Sequence, residues 1–158
     1  MATISRIMSA DVPKLNKDAS ISDATELIAN NPNGCVVIVE DKKPIGIITE
    51  SDIIKNLVFK KASSKDKVIK IMSAPITSLS PSTKLEKANK IIDTKHFRRY
   101  PVVEQDNLVG IITENSIVQA INDNIRFHRN LQNATIVIFV LFELFVFIFY
   151  KNLANFFL

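Results

Sequence analysis

The chain predicts a mixed α/β fold: two βαββα repeats packed as one module, followed by a long C-terminal hydrophobic helix. Three observations carry that expectation. A set of motifs recurs at a constant offset of 64 residues, each copy runs through helical and strand periodicity in the same order, and the apolar residues crowd into the tail.

The repeat is read directly. Ile7-Met8-Ser9-Ala10 returns as Ile71-Met72-Ser73-Ala74, Ala24 as Ala88, Ile28 as Ile92, Val39-Glu40 as Val103-Glu104, and Gly46 as Gly110. GIITESDI at 46–53 returns as GIITENSI at 110–117, with Ser51-Asp52 replaced by Asn115-Ser116. No gap interrupts the register, so two copies of one supersecondary unit are expected, at 1–64 and 65–126, with 127–158 as a separate tail.

Within each copy the elements follow from spacing. A short strand is expected near Val12 to Leu15 and near Ile76 to Leu79. Ile21, Ala24, Leu27 and Ile28, and likewise Leu85, Ala88, Ile91 and Ile92, fall on one face of a helix. Runs rich in β-branched residues follow, Cys35 to Val39 and Tyr100 to Val103, then the polar turns Asp41-Lys42-Lys43 and Gln105-Asp106-Asn107. A second strand closes each hairpin, Ile45 to Thr49 or Val109 to Thr113. A second helix starts near Ser51 and near Asn115, and Ala62 to Asp66 reads as the linker.

Composition bounds the chemistry. The formal net charge is +4 and the pI about 9.2, but the Lys and Arg are interleaved with acids, so no nucleic-acid partner is expected. The single Cys35 excludes an internal disulfide and agrees with a reducing compartment. The opening MATISRIMSADVPKL has no long apolar core behind Arg6, so it does not read as a signal peptide. With 3 Gly, 2 His and 1 Cys, there is no glycine-rich phosphate loop, no metal-ligand spacing and no nucleophile beside a base. A catalyst is therefore not expected.

The motif Gly46-Ile47-Ile48-Thr49-Glu50-Ser51-Asp52, the stretch Phe97-Arg98-Arg99-Tyr100-Pro101-Val102 and the constant offset together resemble the cystathionine-β-synthase (CBS) domain. Two in tandem resemble the paired arrangement called a Bateman module. The resemblance covers residues 1 to about 126. It implies a regulatory ligand rather than a catalytic cofactor: an adenine nucleotide held between the repeats, with Asp52 on the ribose and Thr49 near the sugar and phosphate. Ile47 and Ser51 would line the same cleft. From the other repeat, Pro75, Ile76 and Thr77 would join it, with Arg98 and Arg99 on phosphate, a role suited to a planar, permanently charged donor. His96 is a weaker phosphate candidate. A plainer reading stands beside this one, in which Thr49 and Asp52 form only a capping box at a helix start.

A second cleft would gather Thr113 and Ser116 with Val12, Pro13, Lys14, Gly34 and Cys35. It lacks both the carboxylate and, at the positions of Arg98 and Arg99, the cations. Losing a charged hydrogen-bond partner costs about 1.5–3 kcal/mol, so one working site is expected. AMP, ADP and ATP all fit the reading; S-adenosylmethionine ranks behind them because the Arg pair favours a phosphate. The resemblance also implies a homodimer and an effector protein whose identity the residues do not name.

The tail carries seven of the ten Phe, between Phe139 and Phe157. Ala134 to Tyr150 contains only Thr135 and Glu143 as polar residues, at the short limit of the ~17–25 residues that span a bilayer. An acid at mid-span is penalised by about 2.5–3.5 kcal/mol, which its apolar neighbours outweigh. Glu143 should then face a helix or a polar cavity. Arg126, His128 and Arg129 ahead of the span, against Lys151 after it, put the repeats in the cytoplasm, and Tyr150 with Lys151 would mark the far interface. The expectation is a regulatory module anchored to a membrane through 134–150. The alternatives are a helix buried in a soluble dimer, and a structural or interaction module with empty clefts that assembles with membrane partners.

Overall fold

Polar residues start the helices and apolar spacing buries them. In the computed structural model, which describes residues 3–95 and 97–157 with side chains as far as Phe149, Ser20 opens α1 (Ile21–Ala29). Its hydroxyl accepts from the Asp23 N–H at 3.2 Å, and the Asp23 carboxylate accepts from the Ser20 N–H at 2.9 Å, a reciprocal cap. His96 and the side chains of Tyr150 and Lys151 lie outside the described residues. The chain divides into two compact units, Met1–Val118 and Gln119–Leu158.

In the first unit, α1 buries Ile21, Ala24 and Ile28 against Val36, Ile38 and Ile48. Those come from β2 (Cys35–Glu40) and β3 (Lys43–Thr49), antiparallel strands joined at Asp41 and Lys42, both with positive φ as a tight hairpin turn requires. The second copy repeats this: α3 (Leu85–Lys95) buries Leu85, Ala88 and Ile92, and β4 (Arg99–Glu104) pairs with β5 (Asn107–Thr113) through Gln105 and Asp106. Even the irregularities match, between Ile38 and Val39 and between Val102 and Val103.

The two sheets nevertheless differ in one strand. The first has β1 (Lys14–Asn16), parallel to β2 and slightly later than the expected Val12 to Leu15. The second has two strands among the described residues, and the expected strand from Ile76 to Leu79 is reduced to one bridge, Leu79 with Val102. The reason is in the register. β1 is anchored by the Val37 N–H donating to the Pro13 carbonyl at 2.9 Å, and the residue 64 positions after Val37 is Pro101, which has no N–H. The flanking bonds survive, from Leu79 N–H to Pro101 O at 3.0 Å and from Val103 N–H to Leu79 O at 2.8 Å.

Backbone pairing does not follow the sequence repeat. The start of the chain bonds to the second copy: Ile4 N–H to Thr83 O at 3.0 Å, and Ser9 with Ile111 in both directions at 2.9 Å. The start of the second copy bonds to the first in the equivalent way, Val68 N–H to Ala19 O at 2.9 Å and Ser73 N–H to Ile47 O at 2.9 Å. Val68 and Ile71 accordingly sit in the core of α1, β2 and β3. Burying a Val or Ile fully stabilises by about 1.5–3 kcal/mol, so each copy depends on apolar anchors from the other. The crossings explain Gly110, where a Cβ would stand 2.9 Å from the Ser9 carbonyl oxygen; at Gly46 it would collide with Met72.

β3 leads into α2 (Glu50–Ile54), which continues as a π-helical turn over Lys55–Phe59. After β5 comes α4 (Glu114–Phe157), 44 residues long. Its stretch up to Phe149 is long and apolar enough to cross a membrane by length and composition, and Ile136 to Leu144 are all exposed.

Candidate functional site

The end of β3 and the start of α2 form one wall of a cavity of about 480 Å³, within the ~300–1,000 Å³ usual for small-molecule sites. All nine residues singled out in the sequence line it: Ile47, Thr49, Ser51 and Asp52 from the first copy, and Pro75, Ile76, Thr77, Arg98 and Arg99 from the second. Four more line it that sequence reasoning did not single out as site residues: Glu50, Ser73, Phe97 and Pro101. Ser73 arrives through the crossing to Ile47, which no local pattern reveals, whereas Glu50, Phe97 and Pro101 stood inside the quoted motifs. Pro101 also interrupts the pairing of the Thr77 segment, at the point where both residues face the cavity.

Asp52 does two jobs. Its Oδ2 accepts from the Thr49 N–H at 2.9 Å and from the Thr49 hydroxyl at 2.7 Å, and the Asp52 N–H donates to Thr49 Oγ1 at 3.4 Å. That is the capping box of the plainer reading, and it is present. The second oxygen, Oδ1, accepts only a long 3.4 Å bond from the Ser73 hydroxyl among the described contacts. It is the oxygen with acceptor capacity left for a ligand.

The second copy separates the two jobs. Ser116 Oγ accepts from the Thr113 N–H at 3.1 Å, and Thr113 Oγ1 accepts from the Ser116 N–H at 3.1 Å. A hydroxyl therefore caps α4 as the carboxylate caps α2. What Ser116 cannot supply is the second acceptor and the negative charge.

Arg99 is half-buried and held by its backbone neighbours across the copies. Its Nε donates to the Asn33 carbonyl, and its Nη2 lies 2.7 Å from where a Cβ of Gly34 would stand. Gly34 has φ +57°, so glycine there serves both the left-handed backbone and the space for the guanidinium. The sequence pattern places Gly34 in the second cleft; a Cβ added to it would meet Arg99 and Glu50, which line the first cavity. Arg98 is exposed, and its carbonyl accepts from the Glu114 N–H at 3.0 Å. Cys35 is buried, which pushes its thiol up to about 11 despite the opposing Arg99 charge, with Glu50 adding to the rise. A thiol so held is protonated at neutral pH and is a poor nucleophile. Among the described residues no cluster of three or more His, Cys, Asp or Glu is placed to hold a metal ion.

The cavity can thus offer an acceptor for hydroxyls at Asp52, donors for an anion at Arg98 and Arg99, and apolar walls at Ile47, Pro75, Ile76 and Phe97. Comparison with known proteins bears on this arrangement. A family model described as the CBS domain matches residues 4–58 and 68–123. The CBS domain-containing protein YhcV of Bacillus subtilis is 28% identical over 112 residues, spanning 71% of this chain and 80% of that one. Other relatives are longer: the chain spans 45% of each of two from Methanopyrus kandleri and Methanocaldococcus jannaschii. Two solved structures share the fold. CBSX2 in complex with AMP is 23% identical with a TM-score of 0.67, covering 78% of this chain and 98% of that one. The CBS domain pair of protein MJ0100 in complex with 5′-methylthioadenosine and S-adenosyl-L-methionine is 21% identical with a TM-score of 0.70, again covering 78% and 98%.

The two jobs of Asp52 predict different costs for two substitutions. Asp52→Ser should retain the cap, as Ser116 does, and change unfolding free energy in urea by less than about 0.5 kcal/mol. Asp52→Ala removes the carboxylate half of the box, leaves the Thr49 Oγ1 cap on the residue 52 N–H, and should cost about 0.5–1.5 kcal/mol.

Proposed function

The chain belongs to the CBS-domain family, and on that premise we propose that it is a regulatory module binding an adenine nucleotide in the Asp52 cavity. The observation that carries the reading is the meeting, in one cavity, of a carboxylate from one copy with two guanidinium groups from the other. Asp52 Oδ1 takes the ribose hydroxyls, Thr49 and Ser51 lie along the sugar and phosphate, and Arg98 and Arg99 take phosphate oxygens. Ile47, Pro75, Ile76 and Thr77 enclose the base. The AMP and S-adenosyl-L-methionine named with the two structural neighbours support an adenosine-bearing ligand.

Regulation follows from where the contacts come from. A ligand that touches both copies favours the arrangement in which both halves of its site are in place, and shifts the population toward it. The chain acts as a sensor, not a catalyst, and passes its state to an effector protein, most simply as a homodimer. The 134–150 segment anchors it to a membrane, with the repeats in the cytoplasm; its exposed apolar surface from Ile136 to Leu144 supports this. One observation favours the interaction-module alternative: Asp52 has a structural role in the cap that needs no ligand.

Thermal unfolding with AMP separates the readings. AMP should raise Tm in a concentration-dependent way, as ligand binding to the folded state requires. Asp52→Ser and Arg99→Ala should each abolish that rise, the former without loss of intrinsic stability. No rise in the unaltered protein supports the interaction module. For the anchor, an alkaline carbonate wash of membranes should leave the chain in the pellet, and removal of residues 134–158 should release it.

A further inference from the structure

The cavity holds a charge that nucleotide binding by itself does not call for. Glu50, the residue after Thr49, lines it beside the proposed phosphate site. Its Oε1 lies 3.2 Å, and Arg99 Nη2 2.7 Å, from the same point, the place of a Cβ on Gly34. The carboxylate and the guanidinium therefore flank the same point, with no ion pair within 4.0 Å between them among the described residues. Glu50 is exposed and open to an incoming ligand, while Arg99 is pinned by its Nε bond to Asn33 and is not free to follow a longer anion away from Glu50.

The charges lining the cavity are two Arg against two acids, Arg98 and Arg99 against Glu50 and Asp52. If Asp52 is satisfied by its cap and by ribose, Glu50 is the acid that meets the phosphate end. Each phosphate added beyond the first brings more negative charge to a place that already has a carboxylate and gains no further cation among the described cavity residues. Like charges brought together in a partly dehydrated site are costly, and that cost is how a site rejects the wrong ligand.

We propose that Glu50 is a specificity residue that makes this site selective for a nucleoside monophosphate over the corresponding di- and triphosphate. The inference rests on the nucleotide reading of the cavity. It deepens that reading by assigning a rejecting element beside the attracting Arg pair.

The test is titration calorimetry on the full chain in detergent, with a chelator present so that no divalent cation masks the phosphates. Adenosine, AMP, ADP and ATP are compared on the unaltered protein, Glu50→Gln and Glu50→Ala. The unaltered protein should bind AMP more tightly than ADP, and ADP more tightly than ATP. Both variants should raise ATP affinity about tenfold relative to AMP, a modest change because Glu50 is exposed and its charge is screened, and leave adenosine unchanged. A merely structural role for Glu50 would shift all four ligands together. Tighter binding of ATP than AMP by the unaltered protein, or an unchanged ATP-to-AMP ratio in both variants, would overturn the selectivity while leaving the site intact. If none of the four binds, the site and the selectivity are both overturned.

Discussion

The module depends on a pair of backbone crossings. Ser9 exchanges hydrogen bonds with Ile111, and Ser73 exchanges them with Ile47, so the leading segment of each copy is finished by the hairpin of the other. Neither copy has its full core without the other, because Val68 and Ile71 pack under α1 while Ile4 is fully buried and bonded to Thr83. The crossing at Ser73 also brings the segment through Pro75 and Thr77 to the end of β3, which gives the Asp52 cavity its second wall. The site is a by-product of how the two copies complete each other.

The near-symmetry of the two copies is broken at a few residues around the cavity. Ser116 keeps the cap and loses the charge. Gly34 and Cys35 stand where the first cavity has Arg98 and Arg99; Gly34 gives Arg99 room, and Asn33 holds its Nε. Pro101 deletes one rung of the second sheet beside Thr77, where the first sheet keeps the rung from Val37 to Pro13.

Much of this was legible in the residues. The 64-residue offset, the helical spacing of Ile21, Ala24 and Ile28, and the polar turns fixed both hairpins and both helices, because those are local patterns with one low-energy solution. The nine cavity residues were legible only through the resemblance to a family, since nothing local says that Asp52 and Arg99 meet. The strand at Ile76 to Leu79 misled because its apolar pattern is sound and its missing rung lies in a different strand, at Pro101. Glu50 and Ser73 were overlooked for opposite reasons. Glu50 reads as an ordinary first-turn acid, and Ser73 enters through a long-range crossing that leaves no periodic trace.

The proposed function leaves one working site per chain, in the Asp52 cavity. Calorimetric stoichiometry of AMP binding to the purified full chain tests it most directly. The account predicts one AMP per chain with a single affinity, and two equivalent AMP per chain would contradict it.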